Sequence, residues 1–213
     1  KGIKTGKYPV IFESRVATSL LSSLVSATSG TNQYRKTSFL LDSLDKKIAS
    51  ESLTVHEDPY LKNGNATTYF DGDGVFVKPR VVVEKGFLKG YFLSSYSARR
   101  LNMETTGNAG GAHNLIANPS NLNFDGLLKK MKRGLVVTEL LGHGLNMVTG
   151  DYSRGVAGFW VEEGTIIHLV EEITIAGNMK DMLLNISDVG NDTYTNGSEY
   201  MGSVLITDMT IAA

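Results

Sequence analysis

Residues 134–192 read GLVVTELLGHGLNMVTGDYSRGVAGFWVEEGTIIHLVEEITIAGNMKDMLLNISDVGND, and this stretch decides the fold. Seven glycines, at 134, 142, 144, 150, 155, 158 and 164, cut it into short apolar runs such as LVVTELL, GVAGFWV and TIIHLV. Glycine is retained where a chain needs positive φ or a close backbone approach. Short β-prone runs punctuated in this way predict strands joined by tight turns, with a hairpin across Glu162-Glu163-Gly164. Strands are expected to continue through Ala176. Asn178 then caps a helix carrying Met179, Met182, Leu183 and Ile186, which Gly190 ends.

Working outward, residues 8–12 (YPVIF) read as a short strand. Val16, Leu20, Leu21, Leu24 and Val25 recur at 3.6-residue spacing, which predicts an amphipathic helix over 13–28 with a serine-rich opposite face, stopped by Gly30. A short helix is expected within 39–48 and a strand over 53–57. Residues 63–74 are polar and glycine-bearing and read as a loop. The runs 80–84 and 87–94 flank Lys85-Gly86, a hairpin signal, and 97–101 reads as a helical turn. Residues 105–114 (TTGNAGGAHN) read as a loop. Asn123 caps a helix bearing Phe124, Leu127, Leu128 and Met131, which Gly134 stops. Val204 to Ile206 and Met209 to Ile211 suggest two closing strands. The expected architecture is α+β, one large β-rich domain with about three helices packed on antiparallel or mixed sheets. No repeat or linker divides the chain.

The 213 residues carry a formal net charge of −1, with 41% hydrophobic and 20% charged residues. A nearly neutral chain has no global attraction for nucleic acid or an acidic membrane surface, and no apolar run is long enough to span a bilayer. The absence of cysteine excludes disulfides, thiol catalysis and cysteine metal sites. The chain begins Lys-Gly-Ile-Lys, which reads as a fragment of a longer protein.

The chemistry-bearing residues were weighed in turn. The histidines are His56, His113, His143 and His168. His56-Glu57 begins a zinc-protease pattern, but Tyr60 and Leu61 stand where the second His belongs, and Pro59 breaks any helix there. His113 follows Gly110-Gly111, in a loop that can present the ring or backbone amides to a substrate or simply make a local hydrogen bond. His143 is expected exposed in a turn, and His168 structural in a strand. Asp71-Gly72-Asp73-Gly74 begins like a calcium loop, yet Val75 and Val82 occupy ligand positions, so a tight turn is expected. No Lys follows the 107–111 glycines in the manner of a phosphate loop. Lys129, Lys130, Lys132 and Arg133 sit where cations complement a helix C-terminus. Asp151, Tyr152, Ser153 and Arg154, between Gly150 and Gly155, form the most function-like cluster: either a rigid binding loop or a turn in which Asp151 accepts backbone N–H groups.

At this block the chain resembles the TldD/PmbA family, in its PmbA (TldE) branch. The resemblance rests on GLVVTELLGHG (134–144), TGDYSRGVAGFWVEEG (149–164), EEITIAGNMKDM (171–182), NISDVGND (185–192) and GSVLI (202–206). YRKTSFLLDSL (34–44), SSYSARRL (94–101) and TTGNAGGAHN (105–114) continue it upstream. It implies a C-terminal domain whose smaller N-terminal domain is absent. It also implies a cytoplasmic, heteromeric zinc metalloprotease acting on unfolded or flexible peptides, in peptide-antibiotic maturation and removal of labile antitoxin-type proteins. In the TldD-type subunit, zinc ligands come from an HExxxH helix and a Cys near the C-terminus. The equivalent helix here, ESRVATSLLSSLVSATSG, has no His, and Met201 occupies the Cys position. The resemblance therefore carries no catalytic residue, metal ligand or cofactor onto this chain, and zinc is expected in the partner. Whether this chain is itself an enzyme stays open. Expected partners are a TldD-type subunit and peptide substrates, with a homodimer when isolated. Peptide or partner contacts are expected at His113, Asp151, Tyr152, Ser153 and Arg154. The alternative is a non-enzymatic modulator of DNA gyrase.

Overall fold

A computed structural model describes residues 3–212. In chain order its elements are β1 (Gly6–Phe12), α1 (Ser14–Thr28), α2 (Gly30–Tyr34), β2 (Val55–Glu57), β3 (Arg80–Glu84), β4 (Phe87–Leu88), α3 (Ser95–Leu101), β5 (Leu115–Ala117) and α4 (Phe124–Met131). They continue with β6 (Gly134–Leu141), β7 (Asp151–Glu162), β8 (Thr165–Asn178), α5 (Met179–Leu184), β9 (Ile186–Val189), β10 (Glu199–Tyr200) and β11 (Val204–Ala212). This is the α+β, β-rich architecture expected, with the residues of 134–192 supplying its longest strands.

The larger sheet runs β1-β6-β7-β8-β11-β9, and β1 also pairs with β11. That last pairing closes β1, β6, β7, β8 and β11 into a ring. Only β1–β6 is parallel, Val10 lying opposite Leu135 and Phe12 opposite Val137. β11 shares one flank between two strands: β9 takes Val204–Ile206 and β8 takes residues 210–212. The short α5 links β8 to β9 and so sits where those two strands divide β11 between them. The smaller sheet runs β10-β5-β2-β3-β4.

Strand alternation assigns the two faces of the ring. Val10, Phe12, Leu135, Val137 and Trp160 join the main core with Leu20, Leu21 and Leu24 of α1 and Val55, Val83 and Leu115 of the smaller sheet. The intervening Ile11, Val136, Val161 and Leu205 pack on Leu127, Leu128 and Met131 of α4 in a second cluster. Both faces of β1 and β6 are thus covered here, which is why 135–137 reads as an unbroken apolar run rather than an alternating one. Gly158 makes the closest approach: a Cβ there would stand 1.8 Å from the Val136 carbonyl oxygen on β6.

Local signals were accurate where a side chain satisfies a backbone group. Glu13, Asn123 and Asn178 cap α1, α4 and α5 by accepting N–H bonds from Arg15, Gly126 and Lys180. Lys85 and Gly86 turn the β3–β4 hairpin with φ of 46° and 82°.

Five local expectations change. Residues 39–48 form turns, with Asp42 and Asp45 at φ 51° and 59°, which a helix cannot include. Gly30 opens α2, capped by Ser29, instead of leaving a helix. α4 ends at Met131 with Lys132 at φ 61°, ahead of Gly134. α5 ends at Leu184, and Ile186 begins β9, one of the strands, with β5, that periodicity did not signal. The two closing strands are one strand, β11.

Candidate functional site

Two regions were singled out by sequence, and the structure builds them differently. The glycine-bearing loop 105–114 is tied to the smaller sheet by a buried carboxylate. Glu57, 2% exposed at the end of β2, accepts from the His113 backbone N–H and from Asn108 Nδ2 on Oε1, each at 2.7 Å. Its Oε2 accepts from Arg80 Nε at 2.6 Å. Arg80 also donates to the Tyr91 carbonyl at 2.9 Å and to Asn108 Oδ1 at 3.1 Å, and its guanidinium lies 4.8 Å over the Phe92 ring. A buried charge requires this kind of full pairing. The His113 ring engages the Gly107 carbonyl at 2.9 Å. So His113 closes its own loop through both backbone and ring.

Asp71 clamps the other side of the loop. Its Oδ1 accepts the Asp73 and Val75 N–H groups and its Oδ2 the Ala109 N–H, all at 2.9 Å. Asp73 Oδ2 accepts the Ser95 N–H at 2.9 Å. Residues 71–74 are the tight turn expected, with carboxylates occupied by backbone donors. Gly110 and Gly111 stand between two shallow clefts of about 280 and 260 Å³, one bordered by Phe70 and His113, the other by Ser29, Ser94 and Ser97.

Asp151, Tyr152, Ser153 and Arg154 lie in β7, paired with residues 175–178 of β8, and not in a loop. Alternation therefore splits the cluster. Asp151 and Ser153 are exposed, while Tyr152 is buried. Asp151 accepts from Thr149 Oγ1 at 2.7 Å and Asn178 Nδ2 at 3.2 Å, which hold its carboxyl below the usual range. Burial pushes the Tyr152 phenol up, against a smaller opposing pull from Arg154 beside it. The Tyr152 hydroxyl and Arg154 Nε are buried without a hydrogen-bond partner. Arg154 reaches the Gly142 carbonyl through its guanidinium, and Ser153 N–H donates to the Gly144 carbonyl at 2.8 Å. The strand fastens the 142–150 turn. Among the described residues no hydrogen bond or ion pair joins these four positions to His113.

The remaining feature is on α1. Ser22 donates to the Glu199 carboxylate, 2.8 Å from each oxygen, linking the serine-rich face of α1 to β10. Burial raises the Glu199 carboxyl, and the Ser22 bond pulls it back in part. Sequence reasoning missed this pair, because a contact between residues 22 and 199 has no local signature.

The residues do not fit the zinc site that the resemblance describes. α1 offers Glu13, but that carboxylate caps its own helix and pairs with Arg15 at 2.9 Å. Met201 is 1% exposed within the main core. Among the described residues no three His, Asp or Glu side chains converge on a point where a metal ion could bind. No helix among them is long and apolar enough to cross a membrane.

Comparison with known proteins places this geometry. Residues 5–213 match the model of the PmbA/TldA metallopeptidase C-terminal domain. The chain is 51% identical over 210 residues to metalloprotease PmbA of Escherichia coli O157:H7, covering 99% of this chain and 47% of that protein. A crystal structure from Bacteroides thetaiotaomicron, described as a candidate modulator of DNA gyrase, superposes with a TM-score of 0.94 at 31% identity, covering 100% of this chain and 48% of that one. TldE from Thermococcus kodakarensis gives 0.88 at 25% identity, covering 99% and 51%. The chain spans about half the length of the relatives it matches. It belongs to the PmbA/TldA metallopeptidase family, whose C-terminal domain it contains.

Proposed function

We propose that this chain is the C-terminal domain of the PmbA (TldE) subunit of a heteromeric, cytoplasmic zinc metallopeptidase acting on unfolded or flexible peptides. In this reading the zinc and the hydrolytic step belong to a TldD-type partner. The chain holds that partner and shapes the path of the peptide. One observation carries the reading: on α1 the carboxylate that a metal would need is committed to capping the helix, no His accompanies it, and the chain has no Cys. Thiolate, imidazole and free carboxylate are the protein ligands zinc takes, and here none of them is assembled.

The β-rich architecture supports a sequence-tolerant way of holding peptide, because an extended segment can join a sheet edge through main-chain bonds alone. The test joins this chain to the N-terminal domain proposed for it and adds the TldD-type subunit with an unfolded peptide. Cleavage is expected only from the mixture, and hydrogen exchange should show peptide-dependent protection of sheet-edge amides. Bound peptide without such protection would remove the strand-addition part.

A second reading, a non-enzymatic modulator of DNA gyrase, is favoured by the description attached to the Bacteroides structure. Co-purification with gyrase but not with a TldD-type subunit would support it.

A further inference from the structure

The β7–β8 hairpin carries a surface that the fold does not use. β8 is the longest strand, yet β11 pairs with it only at residues 174–176. Among the described residues, no strand therefore pairs with the outer edge of β8 from Thr165 to Ile173. On that span Ile166, Ile167 and Leu169 are 40%, 54% and 55% exposed. Four exposed carboxylates frame them: Glu162 and Glu163 at the turn, and Glu171 and Glu172 at the far end. Among the described residues none of the four forms an ion pair, although Lys130 is spent on Asp188 nearby in sequence to the turn-bearing helix. The edge is irregular, with register breaks opposite Val156–Gly158 and Trp160–Val161 and Glu172 at φ 55°.

Charges alone guard an open edge against unwanted strand pairing. Three exposed aliphatics between the charges do the opposite: an apolar patch with a charged rim is the composition of a protein–protein contact. The sign of the rim selects the partner. A second copy meeting the first through this hairpin would set four carboxylates against four more, which like-charge repulsion opposes. The complement is an apolar surface edged by Lys and Arg.

We propose that the β8 edge of the β7–β8 hairpin is a docking surface for the TldD-type partner subunit, which meets it with an apolar segment bordered by basic side chains. This rests on the heteromer of the preceding section. The experiment measures assembly of the full-length protein with the TldD-type subunit by light scattering after size exclusion, and its affinity at low and high salt. Two surface variants are compared with the parent: Ile167→Asp/Leu169→Asp, and Glu162→Lys/Glu163→Lys/Glu171→Lys/Glu172→Lys. Circular dichroism and melting confirm that each is folded, with a third variant, Ile167→Ser/Leu169→Ser, in reserve.

The expected result is at least a hundredfold weaker affinity for the aspartate variant. For the charge reversal it is a tenfold loss at low salt that shrinks at high salt, since screening removes the rim's contribution. Folded variants that assemble as tightly as the parent overturn the proposal. So does a parental homodimer that the same substitutions dissolve, because it assigns the edge to a second copy. A parent that never assembles with the TldD-type subunit overturns the heteromer itself, a result distinct from either.

Discussion

Arg80 Nε donates to Glu57 Oε2 at 2.6 Å, and the other oxygen of the same carboxylate receives the His113 N–H. One buried ion pair thus anchors a loop far from it in sequence. Removing either partner leaves a buried charge uncompensated, so Glu57→Ala and Arg80→Ala should each cost about 3–5 kcal/mol. The double variant should cost much less than the sum, and a denaturation cycle measures the difference. His113→Ala keeps the backbone bond to Glu57 and should cost only about 1 kcal/mol. Additive losses from Glu57 and Arg80 would show that the pair does not act as a unit.

Gly158 lies where β6 and β7 come closest. Any side chain there meets the Val136 carbonyl at 1.8 Å, and that oxygen belongs to a strand packed on both faces. Gly158→Ala should destabilise by at least about 2–3 kcal/mol, in the range of strain that a packed core absorbs poorly. Gly142→Ala meets no neighbour within 4 Å, and its cost should be confined to its φ of 66°. Melting curves that rank the two the other way would place the strain elsewhere.

Tyr152 presents the opposite case, a buried hydroxyl with no partner. Tyr152→Phe removes a polar group that burial penalises, so stability should stay level or rise by up to about 1 kcal/mol. The phenol should ionise above its ordinary 10.0, because burial opposes the charged form. Ultraviolet titration of the parent against Tyr152→Phe isolates that single phenol; equal absorbance changes below pH 10 in the two proteins fit this account, and a Tyr152 signal there does not.

Glu199 gives a pH dependence with a definite sign. Burial raises its carboxyl in the folded state from the ordinary 4.5. Between those values the folded protein holds a proton that the unfolded chain has released. Stability attributable to this group therefore falls as pH rises through that window and stays lower above it. Glu199→Gln keeps an acceptor for Ser22 and should raise the melting temperature at pH 7, with little change near pH 3.5. An equal shift at both pH values would mean that charge is not the cause.

The sequence was informative wherever a residue does its work locally. Asn123 and Asn178 announce their helices because a cap bonds to an N–H two or three residues on, and Lys85-Gly86 announces a hairpin because the turn is made by those two residues. The tyrosine and arginine of 151–154 misled for the same reason. Flanking glycines suggested a loop, but pairing with β8, set by residues near position 176, made the segment a strand and split its side chains between two faces. Ser22–Glu199 and Glu57–His113 were invisible because their partners meet only after the sheets form. The residues 39–48 carried helical spacing that the φ of Asp42 and Asp45 overrides.

The measurement that bears most directly on the central claim is metal content paired with activity. The protein is purified alone, assayed for zinc and for cleavage of an unfolded peptide, and assayed again with the TldD-type subunit added. The account predicts near-zero bound zinc and no cleavage from the protein alone, with cleavage on mixing that survives His113→Ala and Asp151→Ala. A protein that alone binds stoichiometric zinc and cleaves the peptide would contradict it.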